Sequence, residues 1–192
     1  MNIAKLLKRG FGCLFDWNIP SASEKELETA DAIVTMAHGR MRDGTAGPGN
    51  VIMAKVTRKF HEKYPHLPIL PQEEIPLADP DLPYHTIIGG SLDGCSTMEW
   101  NTHAIASWQA KICKENGWKK VIAIVFPLHQ GRAVAVYRKV GLVPLLAPMP
   151  PDLKAYMHPD LVPGGIVGIQ TPARFATREL LCRILFLYKG WM

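Results

Sequence analysis

Cysteine is scarce and scattered. The four in 192 residues, Cys13, Cys95, Cys113 and Cys182, form no C-x-x-C pair and no zinc-finger spacing with histidine. That excludes a disulfide-built scaffold and points to reduced thiols in a cytosolic setting. No apolar run approaches the roughly 18 residues that a membrane helix needs. The phosphate-cradling pattern G-x-x-x-x-G-K-[ST] is missing, and so is the dinucleotide pattern G-x-G-x-x-G. His61, His66, His85, His103 and His158 show no metal-ligand spacing. There is no internal repeat and no low-complexity tract. Charge of one sign is also limited: 22 Lys and Arg against 17 Asp and Glu leave a net +5. So modest an excess fits a site for anions as well as it fits a nucleic-acid surface. Nucleic-acid binding ranks last, because the excess is small and the aromatics lie on helix faces rather than on a stacking platform.

What is present is an ordinary globular composition, 47% apolar and 20% charged, expected to form a single α/β domain over 1–192. Residues 1–20 set Lys5, Lys8 and Arg9 among Leu6, Leu7, Phe11, Leu14 and Phe15. This segment lacks the apolar core and cleavage site of a signal peptide. It reads as packing on the domain with its basic side in water; the alternative is weak contact with a membrane surface. The corresponding location is cytoplasmic, or peripheral at the inner face of the membrane.

Five apolar runs read as strands: Ala32–Ala37, Leu67–Leu70, Thr86–Ile88, Val121–Phe126 and Leu142–Ala147. Val121–Phe126 is apolar on both faces, as a central parallel strand should be. Pro144 points to an edge position or an early end for the last run. Between the runs, Ile52, Val56 and Phe60 mark a helix over 50–63. Trp100, Ala104, Trp108 and Ile112 mark a second, and Ala133, Val136, Tyr137 and Val140 a third. The four prolines in 71–85 argue against a regular helix there. Residues 148–173 are a Pro/Gly-rich connection, a lid or a wrap over the surface, and Leu181, Ile184, Leu185 and Tyr188 stripe a last helix over 174–190. Alternating strands and helices predict a Rossmann-like three-layer α/β/α fold with a mainly parallel sheet of about five strands.

In such sheets ligands bind beyond the carboxyl ends of the strands. Right-handed crossovers bring the loops 38–50, 89–97 and 127–132 together there. The first offers His38, Gly39 and Arg40. The second offers Gly89 and Gly90, then Ser96-Thr97-Met98-Glu99, which reads as a helix capping box, and Asn101. A helix start there would turn free N–H groups toward an anion. The third offers His129 and Arg132. An arginine in the first helical turn opposes the helix dipole unless an anion accompanies it. A carboxylate such as Glu99, or a bound phosphate, would serve. His129 and Glu99 are the candidate proton carriers. Glu73 and Glu74 follow the second strand and Asp93 lies in the 89–97 loop, as further carboxylates, and Cys95 reads as a small packing residue.

The order of these pieces resembles the YdcF-like family, the domain of unknown function numbered 218. Asp31-Ala32-Ile33-Val34 is similar to that family's opening strand. Ser96-Thr97-Met98-Glu99 is similar to its T-x-E helix start. Val125 to Ala133 is similar to its strand ending in histidine, with arginine-alanine three residues on. The resemblance spans about residues 31–148. The chain departs from the pattern at Met36-Ala37-His38-Gly39, at Pro71-Gln72-Glu73-Glu74 and at Trp100. The resemblance implies a Rossmann-like fold and a pocket at the strand ends. It also implies a ligand of the S-adenosylmethionine type, or a related anionic, nucleotide-like molecule. The residues at the strand ends expected to hold it are His38, Gly39, Arg40, Gly89, Gly90, Ser96, Thr97, Glu99, Asn101, His129 and Arg132. Two alternatives remain: a hydrolase or transferase acting on a phosphorylated envelope or lipid-carrier precursor, and a non-catalytic protein at the membrane surface.

Overall fold

In the computed structural model the described residues are 19–88, 102–162 and 171–191. Residues 1–18, 89–101 and 163–170 lie outside them. So do Gly89, Gly90, Ser96, Thr97, Glu99 and Asn101 among the expected site residues, with Asp93 and Cys95.

Four parallel strands make the main sheet, in the order β3-β1-β4-β5: β1 (Ala32–Met36), β3 (Ile69–Leu70), β4 (Lys120–Val125) and β5 (Val143–Leu146). β1 and β4 pair over five positions, from Ala32 opposite Val121 to Met36 opposite Val125. Their side chains alternate between the two faces, as pleated backbone requires. Val34, Val121, Ala123 and Val125 join one core; Ile33, Ile122 and Ile124 join the other. The first core is covered by α4 (Thr102–Glu115) and α5 (Gln130–Lys139), through Ile105, Ala106, Cys113, Ala133, Val136 and Tyr137. The second is covered by α2 (Pro48–Lys63), through Met53, Ala54 and Val56. This is the expected three-layer arrangement. α1 (Glu24–Leu27) and α3 (Glu74–Ala78) are short. α3 forms despite Pro76, because the first helical turn has no use for the missing N–H.

The expected third strand is incomplete. Residues 84–88 run beside β3 and the chain that follows it, joined by isolated bridges, Tyr84 with Ile69 of β3 and Ile88 with Gln72 beyond it. β3 is two residues long, and the proline-rich approach gives the neighbouring chain little regular edge to follow. β5 takes the opposite edge, as Pro144 requires. Gly117 and Gly141 end α4 and α5 with φ of +75° and +93°, a conformation other residues rarely adopt.

The 148–173 connection is partly ordered by packing. A 3-10 turn (Leu153–Tyr156) and β6 (Leu161–Val162) lie within it, and β6 pairs antiparallel with β2 (Arg40–Met41). Tyr156 and Leu161 join Phe126 and Phe175 in a third, small core at the carboxyl end of the sheet. Phe175 belongs to α6 (Pro172–Tyr188). The apolar stripe on this helix is not its buried face. Leu181, Ile184 and Leu185 are about half exposed and Tyr188 is 89% exposed. The buried residues are Phe175, Glu179, Arg183 and Phe186. Polar pairing decides the helix's rotation where hydrophobic pattern alone would have turned it the other way.

Two buried side chains fasten the layers. Gln109 on α4 donates from Nε2 to the carbonyls of Thr35 (3.0 Å) and Leu70 (2.8 Å). It accepts from the Tyr137 hydroxyl at 2.8 Å. It therefore satisfies β1, β3 and α5 at once. Replacing it by leucine leaves a buried hydroxyl and two carbonyls without this partner. Gln109→Leu is expected to cost about 2–4 kcal/mol in urea denaturation, from unsatisfied groups at roughly 1–3 kcal/mol each. A cost under about 1 kcal/mol would contradict this role.

Candidate functional site

The carboxyl ends of β1 and β4 deliver two histidines. β1 runs into Ala37 and His38, whose N–H groups bond the side chains of Gln72 (2.9 Å) and Asn50 (2.7 Å). Asn50 also donates to the carbonyl of Gly39 at 2.6 Å. Gly39 has φ +66°, and the turn is thereby fixed. The His38 ring is buried between Phe126 and Phe175, at centroid distances of 4.1 and 5.1 Å. Gly49 approaches so closely that an added Cβ would stand 2.9 Å from His38 Cδ2. Burial, then His129 and Arg178 nearby, bring the His38 pKa down to about 3, so the ring is neutral at pH 7. Its Nε2 is buried and has no hydrogen-bond partner among the described residues.

β4 runs through a 3-10 turn (Pro127–His129) into α5. His129 and Arg132 then lie one helical turn apart and meet the same carboxylate, Glu179 on α6. Glu179 is 1% exposed. Arg132 grips it from Nε (3.1 Å to each oxygen) and Nη2 (2.9 Å). Arg183, one turn along α6, donates from Nε at 3.1 Å. His129 Nδ1 lies 3.1 Å from Oε2. On the ring's other side, Nε2 is 3.2 Å from the hydroxyl of Thr102, the first residue of α4. Arg132 Nη1 donates to that same hydroxyl at 2.6 Å and its guanidinium stacks on Phe186 at 4.8 Å.

His129 Nδ1 also lies 3.0 Å from Arg132 Nη2, which can only donate, so Glu179 favours a proton on Nδ1 and Arg132 opposes it. With Nδ1–H toward Glu179, Nε2 accepts the Thr102 proton and the Thr102 oxygen accepts from Arg132. Burial alone would raise the Glu179 pKa, but His129 and Arg132 bring it down to about 2. Burial and the Arg132 charge together bring His129 down to about 4. At neutral pH the cluster is therefore an ionised carboxylate, a protonated guanidinium and a neutral imidazole. Arg178 stands beside it, its pKa lowered first by burial and raised by Glu179, and it makes no ion pair among the described residues.

Of the expected residues, the structure brings His38, His129 and Arg132 together. The expectation of an anionic partner for Arg132 is met by Glu179, 47 residues further along the chain, where Glu99 was the carboxylate in view. Arg40 goes elsewhere. It pairs with Glu73, and through Nε with Glu74 at 3.4 Å, so these three groups occupy one another. Burial raises the Glu74 pKa. Glu179, Arg178 and Thr102 were missed. The signal was an acid and an arginine four apart on the side of α6 that carries Phe175 and Phe186. A cleft of about 500 Å³ opens on the same sheet edge, walled by Pro127, Leu128, Gln130, Met149 and Leu153. Among the described residues no His, Cys, Asp and Glu cluster could hold a metal ion, and no helix is long and apolar enough to cross a membrane.

Fold and site together define an α/β protein with a buried carboxylate–arginine–histidine cluster at the carboxyl edge of a parallel sheet. No family model, no curated protein and no solved structure matches the chain.

Two predictions follow from the cluster. Glu179→Gln leaves Arg132 buried without its countercharge and is expected to cost about 3–5 kcal/mol in urea denaturation. A cost below about 1 kcal/mol would show that the pair does not hold α6. The second concerns acid. His38 and His129 have folded pKa values of about 3 and about 4, below the ordinary 6.5. The unfolded chain therefore binds more protons, and stability falls as pH drops through that window. Each histidine steepens the fall by about 1.4 kcal/mol per pH unit. Glu179, held low, extends the loss below about pH 4.5. His38→Gln is expected to flatten the slope between about pH 6 and pH 4 by one such increment, read from denaturation curves at stepped pH. An unchanged slope would contradict the neutral, buried state.

Proposed function

We propose that the protein binds a small anionic, phosphate-bearing molecule of nucleotide-like type at the carboxyl edge of its sheet. The observation that supports this reading is a pair of groups next to His129. Arg178 is half-buried and makes no ion pair among the described residues, and His38 Nε2 is buried without a partner there. A guanidinium and a neutral imidazole N–H are donors that a phosphate oxygen satisfies. Arg132 sits deeper and balances Glu179, so its part is to build the site floor. The net sign near the site is positive, with Arg132 and Arg178 against Glu179.

S-adenosylmethionine suits this cluster less well than a phosphate compound. Its carboxylate could meet Arg178, but its sulfonium carries the same sign as the two arginines. The YdcF-like resemblance belongs to this proposal as its family assignment. So does a cytoplasmic location, with residues 1–20 as a route to peripheral membrane contact.

The test is thermal shift of the wild type and Arg178→Gln against one panel. It holds inorganic phosphate, nucleoside monophosphates, sugar and isoprenoid phosphates, S-adenosylmethionine and S-adenosylhomocysteine. A ligand at about 100 times its Kd adds roughly 2.7 kcal/mol to stability. The expected result is a rise in melting temperature with a phosphate compound, largely lost in Arg178→Gln. A panel in which no phosphate compound shifts the wild type, or in which the variant shifts equally, would overturn the reading.

A further inference from the structure

We infer that Thr102 is a nucleophile, and that Thr102, His129 and Glu179 form a hydroxyl–imidazole–carboxylate relay that cleaves phosphate monoesters. The inference rests on the anion-binding reading above and gives the same site a reaction. Three features carry it. The spacings are those of a nucleophile, its base and the group that orients the base: 3.2 Å from Thr102 Oγ to His129 Nε2, and 3.1 Å from Nδ1 to Glu179. The relay also has a direction. Glu179, Arg132 and His129 are buried at 1%, 6% and 8% exposure, whereas Thr102 is half-buried, so the chain of hydrogen bonds ends on the member that a substrate can reach. Finally, Arg132 Nη1 donates to the Thr102 oxygen at 2.6 Å, which stabilises negative charge as the hydroxyl loses its proton. The Thr102 hydroxyl is held between a base and a cation.

A neutral imidazole at pH 7 is the form a general base requires. Thr102 Oγ bonds to phosphorus as its proton passes to His129 Nε2, and the P–O bond to the alcohol breaks. The imidazolium, paired with Glu179, returns that proton to the departing alkoxide. The products are a free alcohol and phosphothreonine 102. A water molecule then attacks phosphorus, giving a proton to His129. The P–Oγ bond breaks, and His129 reprotonates Thr102. The sum is ester plus water giving alcohol plus inorganic phosphate, with no oxidant or metal required by the balance. Arg178 and His38 take the non-bridging oxygens.

The experiment incubates the full chain with p-nitrophenyl phosphate, follows p-nitrophenolate release, and measures the mass of the peptide containing Thr102 after acid quench. Inorganic phosphate binding is measured in parallel by thermal shift. The expected result is turnover with a phosphate adduct on Thr102. Thr102→Val, which keeps the side-chain shape, should lose at least a hundredfold in rate while still binding phosphate. Thr102→Ser should retain activity. Turnover unchanged in Thr102→Val would overturn the nucleophile. Phosphate binding without any turnover in the wild type would overturn the reaction and leave the binding site standing. Failure to bind phosphate at all would overturn the underlying reading of the site.

Discussion

The carboxylate of Glu179 is the constraint around which the functional edge of this protein is organised. An ionised group at 1% exposure is costly to bury, and it is tolerated because two arginines and a histidine converge on it. That convergence has three consequences. It fixes the rotation of α6, whose polar side faces inward while Leu181, Ile184, Leu185 and Tyr188 face out. It anchors Arg132 in the first turn of α5, where the helix dipole alone would disfavour a cation. It also holds the His129 ring by Nδ1, with its other nitrogen turned to Thr102.

The sheet and the cluster divide the work. β1 and β4 are apolar on both faces and supply the rigid platform; their carboxyl ends supply His38 and His129. Gln109 ties the strands to the helices above them, so the two histidines are presented from a fixed base. The 148–162 connection completes this edge with Tyr156 and Leu161, which pack with Phe126 and Phe175 next to the His38 ring. Burial among the aromatic rings keeps His38 neutral, and Arg178 beside the Arg132–Glu179 pair leaves the region net positive. Desolvated donors beside a guanidinium that makes no ion pair among the described residues are a setting in which a phosphate would gain more from binding than it would in water.

Much of the fold was legible in the sequence because central parallel strands and their covering helices have strong periodicity. Val121–Phe126 could be read as central, and Pro144 as marking an edge. The incomplete strand at 84–88 was not legible, since isolated bridges leave no pattern of two. The site was legible in halves. His38, His129 and Arg132 could be placed because topology brings strand ends together. Glu179 could not, because α6 shows an apolar stripe that points to the opposite face, and an ion pair across 47 residues has no local signature. Arg40 looked equivalent to Arg132 in sequence, yet Glu73 and Glu74 claim it. Which arginine faces a ligand depends on which acids fold beside it.

The most direct test of this account is the protonation state of His129, read by NMR of the labelled imidazole against pH with His129→Gln for assignment. The account predicts a neutral ring carrying its proton on Nδ1 at pH 7, titrating near 4. A ring that titrates near the ordinary value of about 6.5 would contradict the Glu179-centred network, and a proton on Nε2 would contradict the proton path from Thr102.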